Sequence, residues 1–163
     1  MGRAFEDLVR AHGAALSRLA WGYADNRADH DDLLQDILVA IWRALPRFRG
    51  EASERTFLFR IARNRAVTFL SRRRVHEPLE PDAPIPDPRP GPDEVLDHAA
   101  EQARLAAAVR TLPPSLRETV LLRLEGCAID EIAALLDVSE NNVSVRLARA
   151  RDRLQQLLGD REP

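Results

Sequence analysis

A chain of 163 residues, 45% hydrophobic and only 5% aromatic, has room for one domain or two small ones with aliphatic, helical cores. Its single cysteine, Cys127, excludes an internal disulfide and a cysteine metal cluster; no apolar run can span a bilayer and MGRAFEDLVR is no signal peptide, so a cytoplasmic protein without membrane insertion is expected. The net charge of −2 conceals 14 Arg against 9 acids in residues 1–75, 3 against 8 in 76–112 and 7 against 9 in 113–163, a basic block beside an acidic segment that suggests a nucleic-acid surface and a separate anionic element.

Residues 4–24 form the first expected helix, with Phe5, Leu8, Val9, His12, Leu16, Leu19, Ala20 and Tyr23 on one face. His12 reads as a packed or half-exposed histidine, because no partner histidine lies one turn away. A turn at Asp25-Asn26-Arg27 leads to a second helix, Asp29 to Leu45, capped by Asp29 and ended by Pro46. Leu33, Leu34, Ile37, Leu38, Ile41, Trp42 and Leu45 give it a wide apolar band, edged by Asp32, Gln35 and Asp36. That edge is either a dipole-friendly solvated face or a docking surface for a basic partner. A metal site from Asp29, His30, Asp31 and Asp32 is weak, since consecutive helical residues point in different directions.

A loop from Pro46 to Ala52 carries Phe48, and Ser53 to Thr56 can start a third helix. From Arg55 to Arg74 there is no acid, and phenylalanines alternate with arginines. Such a helix can bind single-stranded nucleic acid, arginines tracking phosphates and aromatics taking unstacked bases. The plainer reading makes the phenylalanines core and the arginines solvated; most of Phe57, Phe59 and Phe69 should be core on either reading. Residues 76–92 hold seven prolines with Glu77, Glu80, Asp82 and Asp87, an extended anionic linker dividing the chain. A helix resumes from Asp93 to Leu112, Pro113-Pro114 breaks it, Ser115 caps another to about Glu125, and Gly126 ends that.

The stretch from Ala128 to Arg153 reads as two short helices about a tight turn, Asp137-Val138-Ser139. Ser139 is a good N-cap. Val143, Leu147, Ala150 and Leu154 form one inward stripe, leaving Asn141, Asn142, Ser144, Arg146, Arg149, Arg151 and Arg153 outside. Amides read base edges and guanidinium groups hold phosphate or guanine, the arrangement of a helix-turn-helix whose second helix enters a major groove. An ordinary helical hairpin with an Arg-rich solvated face is the bland alternative. The expected fold is all-α: two small helical domains joined by a Pro-rich linker, the C-terminal one carrying the helix-turn-helix.

Two helical domains, a Pro-rich tether, an Arg/Phe element and a terminal helix-turn-helix together resemble the extracytoplasmic-function sigma factors of bacterial RNA polymerase. The specific pieces are DHDDLLQDILVAIWRALPRFRGEASERTFLFRIARNRA and LPPSLRETVLLRLEGCAIDEIAALLDVSENNVSVRLARARDRL. The resemblance implies region 2 over 1–75, a linker over 76–92 and region 4 over 93–163. It makes Asp32, Gln35 and Asp36, matching D-x-x-Q-E, the edge that docks the clamp helices of the core polymerase. Phe48 and Asn64 match positions lining a pocket for a flipped base of the single-stranded −10 element, with Arg60, Arg63 and Arg65 on its backbone. Asn141, Ser144, Val145, Ala148 and Arg149, with Asn142 in place of the usual Thr, match the face that reads the duplex −35 element. Arg146 and Arg151 are the phosphate contacts.

His30, Glu54, Ala128 and Asp137 depart from the pattern. Glu54 stands near the strand-capturing loop; Ala128 loses a Ser/Thr cap; Asp137 replaces a turn glycine. The resemblance implies an initiation factor with no cofactor, no metal and no catalytic step, held by an anti-sigma factor. From its charge, the anionic linker is further expected to lie near the RNA path, imitating nascent transcript. A stand-alone helix-turn-helix regulator is the rival, binding duplex DNA without polymerase. An enzyme is the third reading, for which no phosphate-binding glycine loop, nucleophile–base pair or metal cluster is found.

Overall fold

The computed structural model describes Gly2–His76 and Glu94–Gly159, and the expected linker acids Glu77, Glu80, Asp82 and Asp87 lie outside the described residues. The elements among the described residues are all helices: α1 Gly2–Trp21, α2 Arg27–Ala44, α3 Glu54–His76, α4 Glu94–Thr111, α5 Pro114–Leu124, α6 Ile129–Leu136 and α7 Glu140–Gly159. α1 to α3 pack on one another, and so do α4 to α7, which gives the two expected helical domains.

Local chemistry sets the helix ends. α1 stops at Trp21, earlier than the periodicity suggested, and Gly22-Tyr23-Ala24 form a buried turn. α2 is capped by Asn26 instead of Asp29. Asn26 holds extended backbone (φ −148°, ψ 174°) and its side chain accepts from the Asp29 amide at 2.9 Å. Asp29 thereby moves into the first turn, where its charge suits the helix dipole. A 3-10 turn, Leu45–Arg47, absorbs Pro46 after α2. Ser53 caps α3 by accepting from the Thr56 amide at 3.1 Å. Pro113, not Ser115, is the N-cap of α5, with Pro114 at the first helical position, where its missing N–H costs nothing.

The expected helix-turn-helix is present. Asp137 ends α6 in the left-handed region (φ 55°, ψ 50°), which its short polar side chain tolerates better than most. The Ser139 hydroxyl accepts from the Asn142 amide at 3.1 Å and starts α7. Ala128 offers α6 no side-chain cap, but Glu131 reaches back to accept from the Ala128 amide at 2.7 Å.

Phe59 is fully buried and Phe57 and Phe69 pack against the core, as the sequence led one to expect. That core is continuous. Leu16, Leu19, Leu33, Ile37 and Phe59 of α1–α3 belong to the same buried cluster as Leu112, Leu121, Leu122, Ile132 and Val143 of α4–α7. The two domains therefore pack against each other, an arrangement that no periodicity in the sequence announced.

Candidate nucleic-acid interface

Three surfaces carry the residues singled out from the sequence. The first is the outer face of α2. Asp32 and Gln35 are exposed and Asp36 is half-exposed. Beside them runs an apolar groove lined by Phe5, Leu34, Leu38, Val39 and Trp42, with Trp42 50% exposed. An exposed tryptophan beside carboxylates is a surface that gains by being covered with something both apolar and cationic.

The second surface is α3 and the loop before it. Arg60, Asn64, Val67 and Ser71 are exposed at four- and three-residue spacing, a single stripe along the helix. The Phe48 ring lies 4.6 Å from the Phe57 ring, tilted by 33°, and is half-buried. Arg65 approaches Asp36 at 3.9 Å, so one expected strand contact shares charge with one expected docking acid. Arg63 departs from the stripe. Its Nε donates to Glu118 Oε2 on α5 at 3.1 Å, and only 28% of its side chain is exposed. Glu54 turns away from the loop and its carboxylate meets His12 Nε2 at 3.3 Å.

The third surface is the N-terminal half of α7. Asn141, Asn142, Ser144, Val145, Arg149 and Arg151 are exposed, and Ala148 is half-exposed. Asn141, Asn142, Val145, Arg146 and Arg149 line a shallow polar groove with Ser115 of α5. The Ser144 hydroxyl donates to the Glu140 carbonyl at 3.1 Å and keeps its lone pairs outward. Arg146 turns inward, its Nη1 3.5 Å from Glu118 Oε1.

Glu118 is the residue the sequence reading missed. It is nearly buried and takes Arg63 of α3 and Arg146 of α7 on its two oxygens. The available signal was an acid on the inward stripe of α5, three and four residues before Leu121 and Leu122.

Residues 8–75 match Sigma-70 region 2, and residues 102–154 match Sigma-70, region 4. The sequence is similar to RNA polymerase sigma factor CnrH of Cupriavidus metallidurans, 34% identical across 96% of this chain and 87% of the relative. It is also similar to ECF RNA polymerase sigma factor SigM of Mycobacterium tuberculosis, 36% identical across 96% of this chain and 78% of that one. The fold superposes on CnrH in complex with the cytosolic domain of CnrY with a TM-score of 0.73 and 30% identity, over 99% of this chain and 92% of the other. It also superposes on RpoE of Bartonella quintana in complex with the anti-sigma factor NepR, TM-score 0.75, over 96% and 98% of the two chains; at 23% identity that likeness shows the fold alone. The chain belongs to the sigma-70 family, among its extracytoplasmic-function sigma factors. It directs core RNA polymerase to promoters and initiates transcription there. No helix among the described residues is long and apolar enough to cross a membrane.

Proposed function

We propose that the three surfaces divide the initiation task as follows. Asp32, Gln35 and Asp36, with the apolar groove beside them, dock the clamp helices of the polymerase's largest subunits. Phe48 and Asn64 take an unstacked −10 base while Arg60, Arg63 and Arg65 hold the strand. Asn141, Asn142, Ser144, Val145, Ala148 and Arg149 read the −35 duplex, with Arg146 and Arg151 on phosphates. The domains answering to these tasks are 1–75 and 93–163, with the linker at 76–92. The factor works in the cytoplasm, contributes no catalytic step and needs no cofactor. An anti-sigma protein covers the polymerase-docking face of α2 when the factor is idle.

The observation that carries this reading is the exposure of an amide- and guanidinium-bearing stripe on each of two separate helical domains, apart from an acidic, apolar docking face. Run-off transcription with purified core polymerase on genomic fragments tests it. Replacing Asp32 and Gln35 with Arg should abolish specific initiation, while Arg149→Ala should weaken only particular promoters. In a gel shift the chain should bind its promoter poorly alone and well with core enzyme. Tight duplex binding by the chain alone would favour a stand-alone regulator instead.

A further inference from the structure

Glu54 is an exception in a cationic run. Between Arg47 and Arg74 the only acids are Glu51 and Glu54, and Glu54 opens α3 where the loop carrying Phe48 lands on it. That landing is closely built. Ser53 caps the helix through the Thr56 amide, and its hydroxyl donates to Thr56 Oγ1 at 2.8 Å. Phe57, one turn beyond Glu54, carries the Phe48 ring. Arg60 and Asn64 follow six and ten residues after Glu54, about 9 and 15 Å along the axis at ~1.5 Å per residue. A carboxylate in the first turn suits the helix dipole, but here it stands at the head of a surface assigned to a polyanion.

His12 answers that charge. It lies on α1 between Leu8 and Leu16, both buried, so the inward stripe of the helix fixes its ring, and 22% of its side chain is exposed. Its Nε2 is 3.3 Å from Glu54 Oε2. A carboxylate only accepts, so Nε2 carries the hydrogen and the bond draws Glu54 toward α1. At 54% exposure the Glu54 side chain has room for other rotamers, and the imidazole selects among them.

We propose that His12 is a positioning residue for −10 strand capture: by holding the Glu54 carboxylate against α1, it keeps a negative charge off the path of the phosphates past Phe48, Arg60 and Asn64. This rests on the strand-capturing role assigned to that surface, and it names the residue that lets an acid stand at its edge. A released carboxylate would lie within about 10 Å of the strand, the screening length in 0.1 M salt. Like charges at that range, in the mixed dielectric of a protein surface, shift binding by roughly three-fold.

The test reads the affinity of holoenzyme, reconstituted with core polymerase, for a fluorescent oligothymidylate of about twelve nucleotides, a span that such surfaces track. Anisotropy is compared with that of core polymerase alone. In about 0.1 M salt His12→Ala should weaken binding roughly three-fold, and the loss should shrink in about 0.3 M salt as screening shortens. His12→Gln, whose amide keeps a donor for Glu54, should match the wild type. Glu54→Gln added to His12→Ala should restore affinity, although it restores no bond between the helices; a merely structural tie would stay broken. Should His12→Ala lose helical circular dichroism, Glu54→Asp carries the test from an exposed position. It keeps the charge, falls one methylene short of the imidazole, and should weaken binding about as much. A folded His12→Ala or Glu54→Asp with unchanged affinity, or a loss that Glu54→Gln leaves in place, overturns the proposal. A wild-type holoenzyme that binds the strand no better than core polymerase overturns the strand-capturing role itself, and this inference with it.

Discussion

Tyr23 is the only tyrosine in the chain and is 3% exposed beside the contact between the two domains. Burial, and next the charge of Glu118, raise its phenol well above the ordinary value of 10.0. Above pH 10 the unfolded chain therefore gives up this proton while the folded chain keeps it, so stability falls as pH rises through that range. Phenolate absorbance should be missing from the native chain at pH 10.5 and emerge only with unfolding, whereas the chain in urea should titrate near its ordinary value. Tyr23→Phe should flatten the alkaline loss of stability; a native titration near pH 10 would contradict the burial. Arginine offers a second contrast at this scale. Arg146 faces nearly buried Glu118, while Arg149 is exposed. Arg146→Ala should cost about 1–3 kcal/mol by leaving a buried carboxylate under-satisfied, and Arg149→Ala should leave the melting curve unmoved, as exposed substitutions do.

At the scale of the element, the helices and their inward faces were largely legible because burial imposes a 3.6-residue period that local sequence must obey. Val143 and Ala150 were read as core and are fully buried. Helix starts were read less well. Asp29 and Asn26 are both able caps, and the choice between them is settled by which residue the turn after Ala24 leaves in extended backbone. Ser115 lost its expected place because proline at 114 can already occupy the first helical turn. At α6, a capping box with only its glutamate half leaves a definite gain unrealised. Ala128→Ser should add the missing acceptor for the Glu131 amide and raise stability by about 0.5–1 kcal/mol. Urea unfolding checks this: the midpoint should rise with an unchanged slope, and an unchanged midpoint would show that Glu131 already supplies the whole cap.

The whole molecule was the least legible scale. The ion-paired Arg18 and Glu125 are 107 residues apart and the paired Arg63 and Glu118 are 55 apart. No local period connects such pairs, and Gly22, following α1, reads as a helix terminator before it reads as a place for Leu121 of α5 to pack. Arg63 was grouped with Arg60 and Arg65 by proximity in sequence, yet it points toward another domain. The continuity of the buried cluster from α1 to α7 implies shared stability. Heating the full chain in about 0.1 M salt should therefore give one cooperative calorimetric transition, with agreement between calorimetric and van't Hoff enthalpies. Raising salt to about 1 M shortens the screening length from about 10 Å to 3 Å. That should weaken the Arg18–Glu125 pair, whose arginine is 62% exposed, while the packing of Leu121 of α5 against Gly22 is insensitive to charge. The transition should thus stay single in high salt. Two resolved transitions in the wild type would mean that the domains melt independently, and that the shared apolar contact is too weak to couple them.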